Sequence, residues 1–513
     1  MKRNLLTALL LLGAGPFVLS AREPAKTPAG QELNLQNFWF NSYNAAALSF
    51  SPLDGYSDLH LSYNREQGAF KHALDCGTGS VVTATTSGAT EYKGFVLYGD
   101  FSYINSFYKD CLYNANRYEP SFEMPYYLAD WNLSDWKKQC YDMGLKLAAP
   151  ILAGGRLATG VEIRYDTRTG AKQMDPRAVS TALNLLVAPS VAYSPDGANT
   201  FGLTLEYELI KERTRHSTEN YLVDQPVAIM RGLGYYTQGS VGGNLSVANY
   251  LYSGNRAGAA LEWSHDGASS DLFSSLHGGY EKTTVLERPT FPQMRGATGT
   301  VFGDVAFKAK LGPGRSHRIS FEGNFSRVTG YEYIQELVTS PKREWRTISI
   351  VPASHYLFAA GVLSYDYYSG AGADGYNWRA GALVSFDMSD QTYSMSYFSN
   401  IGVDASLRGA YNIALSRGVS LLASANAGYR LPISGEYFYS GSVNTSSAIV
   451  TGFYPSEIDY LTSQAVHAGA GLTCSLPVTG KTNLYFKADA DFRAPLEGGG
   501  NRFAAALTIG TLF

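Results

Sequence analysis

From Asn483 to Ala494 the chain alternates between two kinds of side chain, and that period of two constrains its fold more than any other feature. Leu484, Phe486, Ala488, Ala490, Phe492 and Ala494 hold one parity; Asn483, Tyr485, Lys487, Asp489, Asp491 and Arg493 hold the other. An extended strand sends the two sets to opposite faces, one suited to hydrocarbon and one to water. A helix would scatter both sets around its circumference. The division recurs at Ile401–Leu415, where Ile401, Val403, Ala405, Leu407, Tyr411 and Ile413 oppose Asp404, Ser406, Arg408 and Asn412. It recurs again at 377–387, 156–166 and 201–208.

A soluble sandwich alternates too, so strand length and connections must decide. Many of these segments outrun the roughly 5–6 residues of a soluble strand and exceed the roughly 9–11 that cross a bilayer. Connections alternate between short and long, as in membrane barrels. The short ones, rich in Gly, Pro, Asp and Asn, include Leu152–Gly155, Ser194–Asn199, Leu311–Arg315, Ser369–Gly375, Leu415–Gly418 and Pro477–Lys481. The long ones include Lys109–Lys138, Thr214–Asn255, Tyr331–His355 and Pro432–Gln464. The expected fold is all-β: one antiparallel transmembrane β-barrel of about 18 strands, within a range of 16–20, with long extracellular loops and short periplasmic turns. A hairpin hidden in Thr214–Asn255 would raise the count to 20.

Met1, Lys2 and Arg3 precede an apolar run from Leu5 to Leu19 that ends on Ser20 and Ala21, the pattern of a secretory signal peptide. No Cys follows the run, which argues against a lipoprotein anchor. The expected division is a signal peptide over 1–21, an N-terminal segment over 22–56 that serves as a luminal plug, and a barrel over 57–513. Charged residues are 17% of the chain, below the roughly 25% of soluble domains. A net charge of -3 gives no reason to expect a nucleic-acid partner.

Phe503, Ala505, Leu507, Ile509, Thr511 and Phe513 form one apolar face that ends on the last residue. This ending resembles the assembly signal of bacterial outer-membrane barrels, which implies recognition by their insertion machinery and residence in the outer-membrane bilayer. Asn44-Ala45-Ala46-Ala47-Leu48 resembles the N-P-A-x-L hatch segment of the long-chain fatty-acid transporter family, without its proline. That segment, an alternating strand, and Gly94–Tyr103 together resemble an uncharacterised family of outer-membrane barrels from Bacteroides-type bacteria. The resemblance implies location and fold, and brings no activity, cofactor or site residues.

On the lumen face both signs occur: Glu162, Arg164, Glu206, Glu208, Lys308, Lys310, Arg379, Asp404, Arg408, Lys487, Asp489, Asp491 and Arg493. With neither sign dominant, cross-strand ion pairs explain them better than a selectivity ring. Gly370–Gly375 reads G-A-G-A-D-G, but a strand follows where a dinucleotide site needs a helix, so it is a turn. No catalytic or metal motif is present, and no cofactor is expected. Two aromatic loops stand out: Tyr113, Tyr118, Phe122, Tyr126, Tyr127, Trp131 and Trp136 in one, and Tyr437, Phe438, Tyr439, Phe453, Tyr454 and Tyr460 in the other. They suit either docking of a surface protein or glycan, or folding into the barrel mouth. The leading expectation is a non-enzymatic channel or transporter, with or without a partner protein. Behind it stand a plugged barrel that anchors a surface assembly and, third, an outer-membrane hydrolase. If a disulfide forms, it joins two of Cys76, Cys111 and Cys140, with Cys474 apart.

Overall fold

The computed structural model describes residues 27–51, 55–220, 222–242, 249–288, 292–372, 375–479 and 482–513; the signal-peptide expectation lies outside them. The chain opens with a helix, Pro28–Asn34, and two short 3-10 turns, Trp39–Asn41 and Ala46–Phe50. Strands follow: β1 (Tyr56–Gly68), β2 (Thr78–Tyr92), β3 (Phe95–Cys111), β4 (Leu128–Ala129), β5 (Ser134–Ala148), β6 (Leu157–Lys172), β7 (Arg177–Tyr193) and β8 (Asn199–Ser217). Next come β9 (Gln225–Gly232), β10 (Tyr235–Val241), β11 (Asn249–Asp266), β12 (Ser270–Arg288), β13 (Gln293–Leu311), β14 (His317–Val338) and β15 (Glu344–Ser369). The last six are β16 (Trp378–Tyr393), β17 (Ser396–Ala414), β18 (Ser420–Phe438), β19 (Ala465–Thr479), β20 (Thr482–Pro495) and β21 (Arg502–Leu512).

Eighteen of these strands form one antiparallel sheet in chain order. The sheet closes where β1 pairs with β21, Asp58 opposite Leu512 and Gly68 opposite Arg502. Closure removes the free edges that an open sheet would expose. The alternation sorts as expected: Phe486 and Phe492 face outward and exposed, while Tyr485 on the other parity donates to Asp58 across the inner wall. Leu407 is 70% exposed and Leu507 63%, so large aliphatics cover the outside as they would in contact with lipid.

Two expected loops turn out differently. Tyr331–His355 is largely strand: β14 and β15 run to Val338 and from Glu344, leaving a short tip around Pro341. The proline and charges of Ser340–Arg343 read as a long loop, but they occupy only the turn, and β-branched Ile348, Ile350 and Val351 favour extension beside it. Among the described residues, 332–338 and 344–353 pair only with each other, because β13 reaches no further than Tyr331 and β16 no further than Ser354. The hairpin therefore rises past the rim by about 20 Å at strand spacing. Thr214–Asn255 does contain a hairpin, β9–β10, yet it pairs with β4 in a separate three-stranded sheet and leaves the barrel at 18 strands.

Candidate functional site

The N-terminal segment touches residues on β5, β7, β8, β11, β12, β15 and β16, a set that one short peptide reaches only from inside a closed barrel. Thr27 caps its helix by accepting the Gly30 N–H at 3.0 Å. Glu32 then meets Tyr376 at 2.7 Å and pairs with Arg379. Trp39 is buried, with its indole N–H on Ser264 Oγ at 3.1 Å and its ring edge-on to Phe273. The Tyr43 N–H donates to Glu262 at 3.0 Å, and Lys146 Nζ donates to the Ser42 carbonyl at 2.6 Å.

Asn44 to Leu48 are all fully buried. The Asn44 amide donates to the wall carbonyls of Val191 (3.0 Å) and Leu203 (3.1 Å), while its oxygen accepts from the Ala47 N–H (2.9 Å). Ala46 N–H donates to Ser190 Oγ at 3.0 Å. Small residues on both sides permit this approach: a Cβ on Gly160 would lie 2.6 Å from the Ala46 nitrogen. The Asn44 side chain and the Ala46 and Ala47 N–H groups thus find partners in the barrel wall or in the segment itself, as burial requires.

Beyond the segment the lumen is charged, and most charges are paired. Of the residues expected on this face, Arg164 meets Asp100 at 3.2 Å, Lys308 meets Glu322 at 2.6 Å, and Lys487 meets Asp489 at 3.0 Å. Glu162 lies 3.6 Å from Lys146, Asp404 meets His467 at 3.0 Å, and Arg408 donates to Asp366 at 2.9 Å. Arg493 reaches the Tyr460 hydroxyl at 2.8 Å, and Lys310 lies over the Phe38 ring at 4.4 Å. Sequence reasoning missed the buried His277, held between Glu206 (2.9 Å) and Asp304 (2.8 Å) and stacked on Tyr43. It missed Lys146 and Glu262 as well. Parity was the available signal, since His277 shares its face with Phe273 and Ser275 while Leu276 is 61% exposed outside.

At the end opposite the termini the two aromatic loops fold into the mouth against each other. Phe122 stacks on Phe453 at 5.3 Å, Tyr113 meets Phe453 at 4.8 Å, and Tyr437 stacks on Tyr454 at 5.0 Å. The hairpin β9–β10 contributes Ala228, Met230 and Leu233 to the same core. Tyr118, Tyr126, Tyr127, Trp136, Phe453, Tyr454 and Tyr460 are buried, whereas Phe438 is exposed. Burial pushes the Tyr127 phenol well above its ordinary range, so it stays neutral. Polar ties that hold the assembly include Lys172–Asp130 at 2.6 Å, Arg117–Glu212 at 2.8 Å and His72–Glu457 at 2.8 Å. Burial raises the Asp130 carboxyl against the opposing pull of Lys172. Cys76 and Cys111 are disulfide-bonded at the base of this layer; Cys140 and Cys474 are free.

Between the N-terminal segment and the aromatic loops the lumen keeps open space. A cavity of about 590 Å³ lies beside Tyr43, Lys146, Arg256 and His277, and another of about 230 Å³ beside Phe38, Lys310 and Arg318. A third, about 310 Å³, lies under the distal loops against Phe122, Glu123 and Glu457.

One family model matches residues 45–513; it is described as a family of unknown function (DUF6850). No curated protein matches the chain. Solved structures of similar shape include the FrpB iron transporter from Neisseria meningitidis, at 9% identity and TM-score 0.40 over 91% of this chain and 83% of that one. A FadL homologue from Pseudomonas aeruginosa matches at 10% identity and TM-score 0.32 over 92% of each chain. The ferric preacinetobactin receptor BauA from Acinetobacter baumannii matches at 8% and 0.37, over 89% and 80%. At these scores they carry no argument about this chain.

Proposed function

This chain belongs to the DUF6850 family, and we propose that it is a gated outer-membrane channel or transporter whose N-terminal segment is a luminal plug. One observation carries the reading. The barrel encloses polar cavities between two closures, and each closure is attached by contacts that can be broken without breaking the wall. At the terminal end the attachment is the Asn44, Ala46 and Trp39 hydrogen bonds; at the distal end it is the aromatic loop layer with the Lys172–Asp130 and Arg117–Glu212 ion pairs and the His72–Glu457 contact. An inert filled barrel has no need of open chambers lined by charged side chains, because unfilled volume forfeits packing contacts. Barrels of 16–18 strands are wide enough to leave an aqueous lumen once contents move aside. The termini then face the periplasm and the aromatic loops the cell exterior.

The test is deletion of residues 34–54. In a correctly inserted barrel, conductance in planar bilayers and sensitivity to large antibiotics should rise. Unchanged permeability would sink the channel reading.

A second reading, a barrel that anchors a surface assembly, draws on a different observation. The β14–β15 extension carries two edges that are unpaired among the described residues and exposed Ile334, Ile348 and Ile350, a surface suited to a partner protein. It becomes the first choice if the deletion leaves the lumen closed.

A further inference from the structure

The cavity between the N-terminal segment and the β13–β17 wall carries an excess of positive charge. Lys308, Lys310, Arg318, Arg379 and Arg408 all line it. Three of them are neutralised: Lys308 by Glu322 at 2.6 Å, Arg408 by Asp366 at 2.9 Å, and Arg379 by Glu32. Lys310 and Arg318 are different. Among the described residues neither is in a salt bridge. Asp271, paired opposite Lys310 across the sheet, is held by Arg315.

Their close contacts are neutral, with the carboxylates Asp266 and Asp271 around Lys310, and Glu32, Asp366 and Asp271 around Arg318, lying beyond ion-pair distance. Lys310 Nζ lies 4.4 Å from the centre of the Phe38 ring, and the Arg318 guanidinium lies 4.5 Å from that of Tyr368. Arg318 also donates to the side-chain oxygen of Gln36, whose amide nitrogen donates to the Tyr368 hydroxyl at 3.1 Å. The buried Arg318 Nε makes no hydrogen bond. Ring faces orient a cation and partly offset its lost hydration, but they do not cancel its charge. A guanidinium fork and an ammonium aimed into one small space are the donor set that holds an oxyanion, and Arg does so through two parallel hydrogen bonds.

We propose that this cavity binds a small oxyanion, a carboxylate or a phosphate, between Lys310 and Arg318. At about 230 Å³ it takes a charged group of a few heavy atoms rather than a whole oligomer. Because Phe38 and Gln36 belong to the N-terminal segment, the anion would sit across the seam between plug and wall. The inference rests on the channel reading in making the lumen a place that solutes reach, and it narrows the solute to one carrying an anionic group.

The test is equilibrium binding of radiolabelled inorganic phosphate and, separately, of radiolabelled succinate to the purified full chain in detergent. The expected result is one saturable site per chain for at least one of them; which anion binds more tightly separates phosphate from carboxylate as the recognised group. The double substitution Lys310→Gln/Arg318→Gln should weaken binding at least about tenfold, the loss expected for a charge-assisted hydrogen bond. Lys487→Gln, in a pair with Asp489 elsewhere in the lumen, should leave it unchanged. Absence of saturable binding of both anions to the wild-type chain overturns the proposal, whatever the variants do. Equal binding in a double variant that still shows heat-modifiable mobility overturns it too. Anion binding by a chain whose plug deletion does not conduct would keep this site and remove the channel reading; conductance without anion binding would do the reverse.

Discussion

Gly202 and Asn44 meet so closely that a Cβ on Gly202 would lie 2.8 Å from the Asn44 side-chain nitrogen. That nitrogen is the donor to the Val191 and Leu203 carbonyls, so the missing side chain on β8 is what lets the segment dock. Gly202→Val should overpack the contact by about 1–3 kcal/mol. Hydrogen exchange at the Ala46 and Ala47 amides should quicken while the sheet amides of β7 and β8 stay protected. Unchanged exchange would mean that the segment is held elsewhere.

The chemistry at Asn44 gives a sharper comparison. Asn44→Ala removes two donors and should loosen the segment by about 1–3 kcal/mol. Asn44→Asp should loosen it more, although the shape is kept, because a buried carboxylate would then face two carbonyl oxygens that it cannot bond. If Asp proves milder than Ala in the same exchange measurement, the hydrogen-bond assignment at this residue is wrong.

At the distal end, Lys172 and Asp130 form an ion pair that is 1% exposed on each side. Lys172→Met strands the carboxylate and should cost about 3–5 kcal/mol, seen as protease cleavage between residues 112 and 133 in an intact barrel. Lys172→Met/Asp130→Leu should recover most of the resistance, since neither charge is then left buried alone.

Peptide mapping without reductant should recover Cys76 joined to Cys111, with Cys140 and Cys474 alkylated only after unfolding or slowly. A bridge to Cys474 would contradict the topology, because Cys474, paired with Phe486 and Leu421, lies near the β19–β20 turn at the end of the barrel opposite Cys76 and Cys111.

Phe513 ends the chain with its N–H on the Ser57 carbonyl at 3.0 Å and its ring exposed outside. With the Ser57 N–H donating back to its carbonyl at 2.8 Å it adds two closing hydrogen bonds, and its deletion should leave export intact and reduce the amount of heat-modifiable, inserted protein. Equal insertion would show that the terminal aromatic is not an assembly signal.

The barrel was legible in the sequence because its cause is local. A period of two along each strand states which side chains meet lipid and which meet water, without knowledge of any neighbour. Leu484–Ala494 and Ile401–Leu415 therefore placed their residues on the correct faces, and the strand total followed from the turns between them. The same reasoning erred at Tyr331–His355, where a proline and a few charges at the tip concealed paired strands, and at β9–β10, whose strand character did not reveal which sheet it would join. Pairing across space made the remaining decisions. The alternation announced Lys310 and Arg379 as luminal alike, but only closure of the barrel brought Glu32 to one and a bare aromatic ring to the other. Nor does an asparagine followed by three alanines disclose that Gly202 and Gly160, far along the chain, leave the room that Asn44 and Ala46 fill. The sequence by itself determined the wall, because side-chain parity is a property of one strand; the tertiary structure decided what occupies the lumen, because that depends on which distant residues the closed sheet brings face to face.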